Sequence, residues 1–303
     1  MQQRFKSPVS TRALAAAALT TLVAALSACG GGGSGSSSGG TPTATVSAIV
    51  VNATKYASSA TVTINGTGLD STLAVTSSVC TGITLQSGNT STSATYACTV
   101  DGGLTGTVIA KSNGTQVGSA TLTVPAPIVR LAINNGLSAV GNIDVTLAPD
   151  KAPKTVDNFL QYVNTGWYAN TIFHRIVPGF VAQGGGYTAP VTDLSTATLK
   201  TGLFTPITYE NSGLSHVSGT IAMAATSTGQ ETSQFFFDTA NNSTSLDGAY
   251  TVFGSISAGS AVLTAILAAP AGCVTTVVDT AGDTETDCLP NPNVVVTSAT
   301  QIQ

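Results

Sequence analysis

Residues 172–186 read Ile-Phe-His-Arg-Ile-Val-Pro-Gly-Phe-Val-Ala-Gln-Gly-Gly-Gly. Two β-prone runs, 171–177 and 179–183, meet at the turn punctuation Pro178-Gly179, and three glycines close the stretch. The segment therefore demands extended structure around a tight turn. Arg175 lies among Ile, Val and Phe in a chain with only 10 Lys and Arg. A guanidinium is costly to bury unless it finds acceptors. Arg175 is thus either an exposed strand residue or one held in place for a purpose.

The rest of the composition agrees with a β-rich exported protein. Hydrophobic residues make up 42% and charged residues 8%, with Gly, Thr, Ser and Ala filling much of the remainder. A length of 303 residues allows two domains, or one with appendages. The formal net charge is −4, and the sparse acidic surface argues against nucleic-acid binding, which needs clustered Lys and Arg.

The N-terminus predicts export. Arg4, Lys6 and Arg12 precede an apolar run, 13–26, that ends in Leu26-Ser27-Ala28-Cys29, the anatomy of a signal peptide over 1–28. The run is too short to span a bilayer comfortably, which takes about 20 residues. Losing its three cations moves the net charge from −4 to −7. The four closing residues resemble a bacterial lipobox, which implies acylation of Cys29 and a membrane anchor there. Gly30 in place of Asp leans towards the outer membrane of a bacterial envelope, facing the periplasm or the cell surface. The rest of 29–43 is a Gly/Ser coil whose reach is on the order of 20 Å, a tether.

From 44 to 125 the pattern becomes short alternating runs with turn residues between them, which predicts a small β-sandwich of about seven strands. Asn113-Gly114 between two such runs is a hairpin signal. The stretch 63–69 weakly resembles bacterial Ig-like repeats. With no His and only Asp70 and Asp101 as acids, this segment cannot build a catalytic site, and it reads as a spacer.

Cys29 aside, Cys80, Cys98, Cys273 and Cys288 allow three connectivities. Pairing within segments, Cys80–Cys98 and Cys273–Cys288, closes local loops in an oxidising compartment. There is no Cys-x-x-Cys and there are two His, so no metal site is expected.

From 126 to 303, a strand pair at 129–134 and 141–147 precedes a helix begun at Pro153, with Val156, Phe159, Leu160 and Val163 on one stripe and Gly166 ending it. A second helix is predicted at 261–267, before Pro270. On the strand around 234–237, alternation puts Gln234 and Phe236 on one face and Phe235 and Phe237 on the other.

The 172–186 stretch resembles the signature Phe-His-Arg-x-Ile/Val-Pro-Gly-Phe-x-x-Gln-Gly-Gly of the cyclophilins, the peptidyl-prolyl cis-trans isomerases. Further blocks follow the same family's order: Ala152-Pro153-Lys154-Thr155-Val156-x-Asn158-Phe159, Pro206-Ile207-x-x-Glu210-Asn211, 219–224, 233–237 and 246–254. The resemblance implies a mainly β fold, a closed eight-stranded antiparallel barrel with two capping helices. It implies catalysis by Arg175 without a cofactor, and substrate contacts from Phe180, Val181, Gln183, Ala224, Ala225, Gln234, Phe236, Leu246 and Tyr250. Val181 stands where Met is common, Ala225 where Asn is frequent, and Tyr250 where eukaryotic members have His. Ser245 replaces a frequent Trp, which implies weak binding of cyclosporin-type inhibitors. His174 reads as a structural hydrogen-bonding residue and His216 as a loop residue. The expected partners are proline-containing polypeptides and, through Cys29, a membrane; a monomer is expected. The competing readings are a catalytically weak proline-peptide-binding chaperone or adhesion lipoprotein, and a protein whose working part is the sandwich.

Overall fold

The computed structural model describes residues 22–23, 44–194, 197–226, 228–269, 271–278 and 284–303, and the side chains of all these except 22–23, 271–278 and 284–288. Apart from the two-residue strand β1 (Leu22–Val23), the predicted leader, Cys29 and the tether lie outside the described residues.

Seven strands follow: β2 (Thr45–Asn52), β3 (Ser59–Thr67), β4 (Ala74–Ser77), β5 (Cys80–Leu85), β6 (Ser93–Val100), β7 (Thr105–Ser112) and β8 (Thr115–Thr123). They form two antiparallel sheets, ordered β1-β2-β3-β6-β5 and β4-β7-β8. Alternation does the packing. Ala60, Val62 and Ile64 of β3 and Ala94, Tyr96, Cys98 and Val100 of β6 are buried, while their neighbours along each strand are more exposed. Cys80 and Cys98 are disulfide-bonded, with Cα atoms 5.7 Å apart. The β7–β8 hairpin turns at Asn113-Gly114.

The rest comprises β9 (Ile128–Asn134), β10 (Val140–Leu147), α1 (Pro153–Asn164), β11 (Thr171–Val177), β12 (Val181–Thr188), β13 (Ile207–Thr208), β14 (Thr220–Ala225), β15 (Gln230–Asp238), α2 (Ser243–Leu246), β16 (Val252–Ala258), α3 (Ser260–Leu267), β17 (Ala271–Val278), β18 (Thr284–Pro290) and β19 (Val294–Gln301). Neighbouring strands run β12-β15-β14-β16-β10-β9-β19-β11, and β11 pairs back onto β12, so eight antiparallel strands close a barrel with no free edge. The β17–β18 hairpin hangs on β11 through Ile176 opposite Cys288. Its register sets Cys273 opposite Cys288, but the side chains of both lie outside the described residues.

Helix α1 buries Val156, Phe159, Leu160 and Val163, and Phe159 packs edge-on to Phe235 at 5.8 Å. Ala152 offers no side-chain cap. The carboxylate of Glu210 does this instead, accepting from Thr155 N and Thr155 Oγ1, each at 3.0 Å. Besides the two predicted helices there is a third, α2. A single turn is too short to show a 3.6-residue period, so the sequence did not reveal it.

The sandwich and the barrel share one continuous apolar cluster. The fully buried Tyr56 joins them: its hydroxyl donates to Asp157 Oδ1 on α1 at 2.6 Å and accepts from Gly102 N at 3.0 Å. Leu104 N donates to Asp150 Oδ1 at 2.7 Å, and Gln301 Nε2 donates to Tyr56 O at 2.9 Å.

Candidate active site

The β11–β12 hairpin folds as its sequence requires. Gly179 sits at φ 79°, a value glycine adopts without strain, and Phe180 N donates across the turn to Val177 O at 3.0 Å. Upstream, Phe173 lies opposite Gly184 and Arg175 opposite Gln183, so β11 holds one extra residue, a bulge at His174. With regular alternation, Phe173 and Arg175 would share a face. The bulge separates them. Phe173 is fully buried in the barrel interior, while Arg175 turns to the outer face, partly exposed.

Register then assembles the site. Arg175 faces Gln183, Gln183 faces Phe236, and Phe236 faces Ala222, a row across four strands. Glycines allow the close packing beside it. The sequence suggested that Gly184, Gly185 and Gly186 end the strand; instead they lie inside β12. A Cβ on Gly185 would meet Ser233 O at 2.9 Å, and one on Gly186 would meet the Gln234 side chain at 2.7 Å. Missing side chains, with the positive φ of Gly185, are what this run contributes.

The result is a slot of about 110 Å³. Its apolar wall is Phe180, Val181, Phe236, Leu246 and Tyr250, and its remaining lining is Arg175, Gln183, Ala224 and Ala225. The Arg175 guanidinium carbon is 5.8 Å from the centroid of the Phe180 ring. Phe236 and Tyr250 meet edge-on at 5.6 Å. Gln234 is not in the lining, but its Oε1 accepts from Gln183 Nε2 at 2.9 Å and so orients that amide. Arg175 and the residues expected to contact substrate therefore gather at one place, with Gln234 behind Gln183, and Phe235 and Phe237 fill the barrel as alternation predicted. Four larger clefts, among them one of about 490 Å³ between the β-sandwich and α1 and one of about 660 Å³ beside residues 188–201, do not set a guanidinium against an apolar slot.

The two histidines differ. Burial, with a smaller contribution from the Arg175 charge, pushes His174 down to about 4 against the hydrogen bonds that favour its charged form, so it is neutral at pH 7. His216, read from the sequence as a loop residue, is fully buried. Its ring stacks on Phe236 at 5.7 Å and 13°, its Nδ1 is 2.9 Å from Asp238 Oδ2, and its Nε2 is 3.2 Å from Tyr250 O. The overlooked signal was Asp238: an acid closing the apolar run Phe235–Phe237 needs a buried donor. Leu214 also packs against the slot cluster, and no periodicity pointed to it.

Residues 128–300 match the family model "Cyclophilin type peptidyl-prolyl cis-trans isomerase/CLD". Peptidyl-prolyl cis-trans isomerase A of Dickeya dadantii is 41% identical over 128 residues, 40% of this chain and 64% of that protein. A peptidyl-prolyl cis-trans isomerase of Acinetobacter baylyi is 39% identical over 137 residues, 43% of this chain and 69% of its own length. The match thus spans about two thirds of these relatives. A crystal structure of a Cryptosporidium parvum cyclophilin type peptidyl-prolyl cis-trans isomerase is 22% identical, with a TM-score of 0.41, covering 59% of this chain and 99% of that one. With more than half its length under the family model, this chain belongs to the cyclophilin type peptidyl-prolyl cis-trans isomerase family.

Proposed function

We propose that the barrel catalyses rotation about X–Pro peptide bonds in exported polypeptides. The observation that carries this reading is the guanidinium of Arg175 set at the rim of an apolar slot the size of a small ring. Rotation faces a barrier of about 18–20 kcal/mol because amide resonance is lost in the twisted state. No nucleophile or cofactor is needed. The proline ring enters the slot against Phe236 and Leu246, Gln183 holds the substrate backbone, and Arg175 donates to the prolyl nitrogen as it becomes pyramidal and basic. Such contacts favour the twisted amide over both planar forms, and each tenfold acceleration requires about 1.4 kcal/mol of that selectivity. His174, being neutral and buried, transfers no proton in this scheme.

The remaining assignments rest on sequence and strand order. Cys29 carries the lipid anchor and places the protein in the bacterial envelope, facing the periplasm or the cell surface. Residues 44–125 are an Ig-like spacer: the orders β5-β6-β3-β2 and β4-β7-β8 are those of a seven-strand constant-type Ig sandwich. Cys273 and Cys288 form the second disulfide, and the protein acts as a monomer.

The test is a protease-coupled isomerase assay on the full chain in detergent, run beside Arg175→Ala. Catalysis that falls at least about tenfold in the variant supports the assignment. No rate above background from folded wild type, across several X–Pro peptides, refutes it and leaves a proline-peptide-binding module.

A further inference from the structure

The geometry points to His216 as a positioning residue of the slot: its buried ion pair with Asp238 braces three of the walls, so that peptide affinity follows the protonation of His216. This rests on the isomerase site assigned above.

Both ring nitrogens of His216 face acceptors alone. Nδ1 meets a carboxylate oxygen of Asp238 and Nε2 meets the carbonyl of Tyr250. A neutral imidazole has one N–H and one lone pair, so it can satisfy only one of them; the imidazolium satisfies both. Asp238 is equipped to stay the acceptor, since its other oxygen takes a hydrogen bond from Asn242 Nδ2 at 2.7 Å and Thr220 Oγ1 lies 2.7 Å from Oδ2. His216 and Asp238 are both fully buried, so solvent does not screen the pair. Burial by itself disfavours the charged ring. The hydrogen bond and charge of Asp238, the Tyr250 carbonyl and the charge of Asp247 outweigh it and raise the pKa of His216 above its ordinary value. Asp238 on β15 and Asp247 beyond α2 are the charged groups that act on it.

What the pair touches gives it consequence. The His216 ring is stacked on Phe236, the floor of the slot. Its Nε2 holds the backbone of Tyr250, whose ring meets Phe236 edge-on. Through Asp238 it reaches Asn242, whose Nδ2 also donates to Phe180 O at 2.8 Å. One network thus ties Phe180, Phe236 and Tyr250. Loss of the second proton leaves either Asp238 or Tyr250 facing a lone pair, and the walls lose their common brace. The brace acts on the walls that hold the proline ring, so the effect falls on binding, not on the rotation step.

The experiment measures KM and kcat of the full chain in detergent from about pH 5 to about pH 9, while NMR follows the His216 imidazole. KM is expected to rise about fivefold as His216 loses its proton, with kcat held within about twofold. Asp238→Asn should move the NMR and KM midpoints together to lower pH. His216→Phe, which keeps the stack and removes both donors, should give a raised KM that no longer follows pH. Should that variant fail to fold, wild type and Asp238→Asn decide. A KM indifferent to His216 titration and to Asp238→Asn overturns the proposal. No isomerase rate at any pH overturns the isomerase reading instead, and the affinity for a proline peptide, measured by calorimetry over the same range, then tests the brace by itself.

Discussion

At the scale of single residues, the slot separates two kinds of cation. A guanidinium offers planar, forked donors, whereas an ammonium is a compact, strongly hydrated charge on a flexible stem. Arg175 lies beside Phe180 on a strand whose bulge fixes where it points. Arg175→Lys keeps the charge and should still lower kcat/KM by about tenfold or more, with KM less affected than kcat, in the same coupled assay. A value near wild type would mean that charge alone suffices and that the fork has no role.

At the scale of the element, two of the three glycines of β12 have different duties. Gly185 sits at φ 80°, and its Cβ would strike backbone. Gly185→Ala should therefore destabilise the fold by about 1–3 kcal/mol, seen as a lower urea midpoint. An added Cβ at Gly186 first meets the Gln234 side chain, which can swing away at the cost of its bond to Gln183. Gly186→Ala should leave the urea midpoint nearly unchanged and raise KM. If both variants behave alike, the distinction fails. The signature made this hairpin, its turn and its slot residues legible beforehand, because local propensity and pairing point the same way there. The interior placement of the glycines was not legible, since a glycine run reads as a turn until the side chains that fill its space are known.

At the scale of the whole molecule, the sandwich is docked on the barrel through buried polar groups. Tyr56→Phe leaves Asp157 and Gly102 N without their partner and should cost about 1–3 kcal/mol in denaturant unfolding. Two carboxyls, Asp157 at this junction and Glu231 within the barrel, also make stability depend on pH. Burial, helped by the charges of Asp101 and Glu210, lifts Asp157 to about 6, and burial lifts Glu231, bonded to Thr251 Oγ1, to about 7. Each group binds its proton more tightly folded than unfolded, where carboxyls titrate near about 4. Their contribution is therefore greatest at acid pH and is lost as pH rises from the unfolded values through about 6 and about 7. Thermal unfolding should show Glu231→Gln more stable than wild type at pH 8 and nearly equal at pH 5. The same gain at both pH values would remove the carboxyl as the cause.

The sequence by itself determined a β-rich chain, its alternating strands, the two longer helices and the residues that gather in the slot, because these follow from local pattern and from one dense signature with the ordered blocks around it. Only the tertiary structure decided how α1 is capped by Glu210, where His216 goes, and that Tyr56 locks the sandwich to the barrel. Each of these joins groups 22 to 101 residues apart. A buried polar group announces that it needs a partner, but the partner is chosen by packing, which no local pattern records.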